Sequence, residues 1–179
     1  TAFASIAGYR EDIIDLTGRG EPLRVPGVQT TPAFFDVLLA PPLVGRVYHE
    51  ATDKPGTPVA VIGESLWRRQ FGSDAAVIGT KVRLNGNPTE IIGVVAESVR
   101  HPIRADVWTL SPLEVPVSPI ANEDGLASRD VSYFLAVGRL AGSSSLGAAR
   151  EQLKATGGRL AREFPDTNAD QSFDAEPLA

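Results

Sequence analysis

The chain is 179 residues long, 42% hydrophobic and 22% charged, with a net charge of −5 and neither cysteine nor methionine. Its size and apolar share suit one domain with a real core. They exclude a disulfide framework, a thiolate metal site and a cysteine nucleophile, and the acidic balance argues against nucleic acid as a partner.

No apolar run reaches the roughly 18–20 residues that a membrane-crossing helix needs. The start, Thr1-Ala2-Phe3-Ala4-Ser5, lacks the basic residues of a signal peptide. A sequence opening on Thr1 reads as an excised or processed piece of a longer polypeptide.

Residues 1–8 are small and apolar and read as the last turns of a helix. Tyr9 to Thr17 reads as a strand, ended by Gly18-Arg19-Gly20. Leu23 to Thr30 reads as its hairpin partner, with Pro26 pushing it toward an edge or a bulge. Thr31-Pro32 opens a short helix, Thr31 as cap and Pro32 at the first position, burying Phe34, Phe35, Val37, Leu38 and Leu39. Pro41-Pro42 stops it, and the charged stretch to Pro58 reads as loop.

Val59-Ala60-Val61-Ile62 is a continuous apolar run suited to a buried strand. Glu64 to Phe71 is a helix with Trp67 and Phe71 on one face and Gly72 as its left-handed terminator. Ser73-Asp74 caps one further turn. The sharpest local signal is Asn85-Gly86 between alternating apolar segments, which predicts a type I′ hairpin. Residues 98–128 carry Pro102, Pro112, Pro116 and Pro119 and read either as a surface excursion or as a segment that orders on a partner, with a strand at Asp106 to Leu110. Val131 to Leu140 reads as another strand. The longest helix follows Ser145, with Leu146, Ala149, Leu153, Leu160 and Phe164 as its apolar stripe. Gly157-Gly158 within it predicts a kink or a close packing contact, Pro165 stops it, and Ser172 to Glu176 reads as a final strand.

The chemistry-bearing residues do not assemble into a motif. His49 and His101 lack a second histidine at helical spacing, and His49, Glu50 and Asp53 read as a solvated loop. Asp166 to Asp170 starts like a calcium loop, but Gln171 stands where glycine is needed and Pro177 where the bidentate glutamate belongs. Gly72 to Lys81 has the wrong spacing and order for a phosphate loop. Ser143 to Ser145 reads as helix-start material, and Trp67-Arg68-Arg69-Gln70 as a core anchor with snorkelling arginines. No catalytic, cofactor-binding or metal-ligating residue is therefore assigned. An enzyme would have to draw on carboxylates such as Asp53, Glu64 or Asp106.

One ordered string spans nearly the whole chain. It includes Phe34-Phe35-Asp36-Val37-Leu38 with Gly45-Arg46, and Leu66-Trp67-Arg68-Arg69-Gln70-Phe71-Gly72 with Ile78-Gly79. It continues through Leu84-Asn85-Gly86 and Ile91-Ile92-Gly93-Val94 to Phe134-Leu135-Ala136-Val137-Gly138-Arg139-Leu140 and Glu163-Phe164-Pro165-Asp166-Thr167-Asn168. This string resembles the MacB-like periplasmic core domain of bacterial ABC-transporter permeases of the MacB and FtsX type.

The resemblance implies an α+β fold, a porter-like mixed α/β domain with β-hairpins and two or three helices packed on a sheet. It implies one domain over 1–179, with 98–128 as a Pro-rich excursion or a reduced subdomain, inserted between the first two transmembrane helices and periplasmic in location. It implies a non-catalytic part without cofactor or metal that couples ATP-driven motion to substrate or partner proteins outside the inner membrane. The implied partners are the permease's own transmembrane helices, a cytoplasmic ABC ATPase reached through them, a periplasmic adaptor or substrate protein, and a second copy in a homodimer. A free-standing soluble domain binding a small ligand or peptide is the alternative.

Overall fold

The computed structural model describes residues 1–99, 101, 103–119 and 132–178. Its elements in chain order are β1 (Phe3–Thr17), β2 (Leu23–Thr30), α1 (Phe34–Leu38), β3 (Pro42–Gly45), β4 (Val59–Gly63) and α2 (Glu64–Phe71). A 3₁₀ turn (Ala75–Val77), β5 (Lys81–Leu84), β6 (Asn87–Val95), β7 (Val107–Leu110), β8 (Leu135–Leu140), α3 (Leu146–Glu163) and α4 (Pro165–Asn168) follow. The α+β class expected from the resemblance is the class found.

The strands form one mixed sheet that curls back on itself. The path β2-β7-β4-β6-β5-β1 closes through the long antiparallel β1–β2 hairpin, in which Tyr9 pairs with Thr30 and Leu16 with Leu23. β8 extends the sheet beyond β1, and β3 pairs with the end of β6. The period-2 alternation of side chains divides the core in two. One face gathers Tyr9, Val28, Val61, Trp108 and Val137 beneath Phe34 and Phe35 of α1. The other gathers Ile14, Leu16, Ile62, Val82, Leu84 and Val107 around Leu66 and Phe71 of α2. An irregularity in the β4–β6 register falls between Ala60–Ile91 and Val61–Gly93. That extra residue shifts the alternation, so that Val94 joins Ile91 in one core and Val95 joins Ile92 in the other.

Several local expectations hold. α2 spans the predicted residues, ending at Gly72 with φ 60°. Asp74 accepts from the Ala76 amide to cap the following turn. Asn85 and Gly86 take φ 48° and 81° between β5 and β6, as a type I′ turn requires. Ser145 caps α3 by accepting from the Ala148 amide. At Gly157 the close contact is the one that occurs, since a Cβ there would lie 3.3 Å from the Phe173 ring.

Other expectations are corrected. Residues 3–8 are the first half of β1, because β8 pairs with them and supplies the hydrogen bonds a helix would have made internally. Thr31 does not cap α1. Its hydroxyl accepts from the Gly8 amide, and the helix starts at Phe34 without a side-chain cap. Leu39 is 66% exposed and left-handed at the end of α1. β3 occupies part of the predicted loop. β7 is an interior strand between β2 and β4, with Trp108 fully buried. Of the predicted 98–128 excursion, residues 100, 102 and 120–128 lie outside the described residues, as does Val131 of the predicted strand. Ser172 to Glu176 forms no strand: Phe173 lies against Gly157, and the Ala175 carbonyl accepts from Arg150.

Candidate interaction face

The predicted charged residues come together first as a fastening. Arg46 meets Asp53 through two hydrogen bonds of 2.9 Å each. The buried Asp53 carboxylate also accepts from the His49 amide at 3.0 Å and the Thr52 hydroxyl at 2.8 Å. Burial pushes this carboxyl's pKa up, but Arg46, the His49 amide and Thr52 outweigh it and hold the pKa below the ordinary aspartate value. Asp36 of α1 completes the fastening, taking His49 Nδ1 at 2.5 Å and the Glu50 amide at 3.0 Å. His49 and Glu50 are thus exposed as expected, while Asp53 is buried within the same hydrogen-bonded loop. Its carboxylates Asp36 and Asp53 are already bonded to protein donors, which is poor chemistry for a hard cation.

The remaining candidates are dispersed. Glu64 pairs with Arg68 on the same helix and accepts from the Glu97 amide at 3.3 Å; Arg68 is the main cause of its lowered pKa. Asp106 pairs with Arg69 at 3.0 Å. The basic spot on α2 is thereby neutralised, while the Trp67 indole donates to the Asp74 carbonyl at 2.9 Å. His101 packs edge-on against Tyr9 with ring centres 5.1 Å apart; burial lowers its pKa, against the opposing charge of Glu11. Asp166 lies in α4, and Asn168, buried there, accepts from the Thr167 hydroxyl. Among the described residues, no group of three His, Asp or Glu side chains is arranged to hold a metal. No helix among them is long and apolar enough to cross a membrane.

A concave feature lies elsewhere. A groove of about 400 Å³ runs beside β1 and β8. Ile6, Gly8, Phe134 and Ala136 form its apolar floor, and the Thr31–Ala33 corner closes one side. Glu50, Lys54 and Glu114 stand on its polar side, next to the fastened Asp53. Ile6 is 52% exposed and Leu135, at the start of β8, 63%. Gly8 is needed beneath it, because a Cβ there would lie 3.1 Å from Pro116 and 3.4 Å from the Phe134 ring. Sequence reasoning missed this face because it read residues 1–8 as helical. Small residues at Ala4, Ala7 and Gly8 around Ile6 were the available signal.

A family model described as the MacB-like periplasmic core domain matches residues 2–156. No curated protein matches the chain. Among solved structures, the periplasmic region of MacB from Actinobacillus actinomycetemcomitans is similar at TM-score 0.67 and 16% identity, covering 94% of this chain and 71% of that one. A domain of a putative permease protein from Porphyromonas gingivalis aligns at TM-score 0.62 and 16% identity, covering 99% and 81% of the two chains. The extracellular domain of the noncanonic ABC-type transporter YknZ from Gram-positive bacteria aligns at 0.58 and 17%, covering 96% and 79%.

Proposed function

This chain belongs to the MacB-like periplasmic core domain family, the extracytoplasmic domains of ABC-type permeases, and from that premise we propose that it is a non-catalytic coupling body. It takes up ATP-driven motion from the transmembrane helices and delivers it to a substrate or partner protein outside the inner membrane. The ATPase is a separate cytoplasmic subunit, an adaptor or substrate protein is the outer partner, and two copies work side by side. Residues 1–179 act as one domain.

The observation that carries this reading is how the two ends of the chain are fastened. The Ala2 amide donates to Gln152 of α3 at 2.5 Å, and the Ala2 carbonyl accepts from Ala141 after β8 at 2.9 Å. At the other end, Arg150 of α3 donates to the Ala175 carbonyl at 2.8 Å and pairs with Asp174 at 3.2 Å. Displacement at either end therefore reaches the first half of α3 and, through Ala2, β1. That strand pairs with β2, β5 and β8, so the pull is spread over the closed sheet. Packed sheets of this kind transmit strain because their interiors are dense and poorly compressible.

The test uses the parent permease reconstituted with its ATPase. A fluorophore on Ser143→Cys reports the α3 end, and ATP is expected to shift its emission. Combining Arg150→Ala with Gln152→Ala is expected to abolish the shift while ATP hydrolysis continues. An emission blind to ATP in the intact transporter, or substrate turnover by the isolated chain, overturns the proposal.

A further inference from the structure

Leu39 carries two costs at once. It takes a left-handed backbone, φ 53°, at the end of α1, where glycine or asparagine fits with less strain. It also leaves its side chain 66% exposed. Strain kept at an exposed apolar residue points to use rather than to packing. Four residues on, Leu43 of β3 is 49% exposed. No charged residue stands between Asp36 and Arg46, so the tip Leu39-Ala40-Pro41-Pro42-Leu43 is apolar throughout. Its backbone suits an apolar phase as well. The Leu39 amide donates to the Phe35 carbonyl at 2.9 Å, and Pro41 and Pro42 have no amide hydrogen to leave unpaired.

The tip lies at the end of the body where the chain enters and leaves. Ahead of α1, the Thr31 amide donates to the Gly8 carbonyl at 2.9 Å. Near the end of α1, the Val37 carbonyl accepts from Arg139, the cross-strand partner of Ser5. α1 therefore runs along the β1–β8 ribbon toward the start of β1, and Leu39 continues in that direction. At the same end Ala2 is bonded to Ala141 and Gln152. The last residues return there too, where Arg150 holds Asp174 and Ala175.

We propose that the Leu39–Leu43 tip is a lipid-contacting foot, resting in the outer surface of the bilayer that holds the permease. Leu39 and Leu43 enter the apolar boundary below the headgroups, and the proline pair between them keeps the turn short and free of unpaired amides. Two leucines are too little to hold a free chain of net charge −5 on an anionic bilayer. Chain ends joined to transmembrane helices keep the tip at the surface, where the high local concentration sustains a weak apolar contact. The inference rests on the reading of the chain as a body moved through those ends, and it adds a surface on which that body bears.

The test uses the parent permease, freed of any other cysteine, in vesicles of phosphatidylethanolamine and phosphatidylglycerol, with a nitroxide on Pro41→Cys. Collisions with oxygen, which concentrates in lipid, are expected to exceed those with a water-soluble nickel chelate severalfold. A nitroxide on Glu21→Cys, in the exposed turn at the far end of the β1–β2 hairpin, should show the reverse. Combining Leu39→Asn with Leu43→Ser should return position 41 to the aqueous pattern. In the isolated chain, Leu39→Asn should unfold at the same or a higher urea concentration, because strain is relieved at an exposed site. A position 41 as open to the chelate as position 21 overturns the proposal. Shielding from both reagents also overturns it, since that marks contact with a second copy or a transmembrane helix. A clear fall in the unfolding midpoint for Leu39→Asn assigns the leucine to the fold and overturns it as well. Failure here with the ATP-driven fluorescence shift intact removes this inference alone; loss of that shift with lipid contact at position 41 preserved removes the coupling role alone.

Discussion

The Arg46–Asp53 fastening offers the most quantitative test of how the groove is held. Asp53→Ala removes the acceptor for two guanidinium hydrogen bonds, the His49 amide and the Thr52 hydroxyl. Breaking a buried ion pair costs about 3–5 kcal/mol. Asp53 is 4% exposed, but the Arg46 side chain is 52% exposed and recovers hydration when abandoned, which favours the low end of that range. The expected loss is about 3 kcal/mol, a large part of the roughly 5–15 kcal/mol that holds a domain folded. Arg46→Ala strands a buried carboxylate that keeps two protein donors, and should cost about 2 kcal/mol. The double variant should fall well short of the sum, because both changes remove the same bonds.

The pH dependence adds an independent check. The folded-state pKa of Asp53 is depressed, so its contribution is fully present above the unfolded aspartate pKa and disappears as pH falls through the folded value. The stability gap between the native chain and Asp53→Ala should be flat from about pH 8 to pH 5 and close below about pH 4. Urea unfolding at fixed pH values, with unchanged m, measures it. A gap below about 1 kcal/mol at neutral pH, or one that persists undiminished far below pH 4, refutes the reasoning.

Three further expectations follow from individual contacts. A Cβ on Gly93 would stand 1.9 Å from the Arg46 carbonyl oxygen, whereas one on Gly158 meets nothing within 4 Å. Gly93→Ala should therefore cost more than about 3 kcal/mol and Gly158→Ala should stabilise by about 0.5–1 kcal/mol, both read from thermal or urea unfolding. Asn85 combines a left-handed backbone with a 2.8 Å bond accepted from the Asp15 amide, so Asn85→Ala should cost about 1–2 kcal/mol in the same assay. Burial pushes the Tyr48 phenol far above its ordinary pKa, against the hydrogen bond with Thr30. In an alkaline absorbance titration of the three tyrosines, Tyr48 should ionise only as the chain unfolds, and Tyr48→Phe should remove that late step.

Legibility followed the range of the forces involved. α2 and the β5–β6 hairpin could be read because their determinants sit within them: Trp67 and Phe71 four residues apart, Gly72 at the terminus, and Asn85-Gly86 able to take positive φ, although Leu66 rather than Trp67 is the residue fully buried beside Phe71. β4 was equally plain as an unbroken apolar run buried along its whole length. Residues 3–8 carry no such period, and β8, some 130 residues later, decides their conformation. β7 lies in proline-rich surroundings and becomes an interior strand because β2 and β4 accept it on both sides. β3 was hidden for the opposite reason: Pro42 marks the end of α1 and also begins the pairing with Val95.

The candidate face was illegible for the same physical reason, and this bears on what kind of site it is. A catalytic centre announces itself through residue types whose chemistry is rare, and Asp53, Glu64 and Asp106 each end in a bond to arginine. A face made of small apolar side chains and backbone groups has no such signature, because nearly every residue offers the same amides and carbonyls. What distinguishes Ala136 and Gly138 is the outward direction of those groups, and that direction is fixed at Gly8 by Thr31 from another strand's end. A change at Thr31, which lines the groove and bonds both polar backbone groups of Gly8, should therefore loosen the corner between β1 and α1. Thr31→Val removes the hydroxyl acceptor of the Gly8 amide while keeping the side-chain shape, and should cost about 1 kcal/mol of stability in urea unfolding. Thr31→Ser should restore it. Equal stability of the threonine, valine and serine forms would show that the corner is set by strand pairing alone, and that the Thr31 hydroxyl contributes nothing to it.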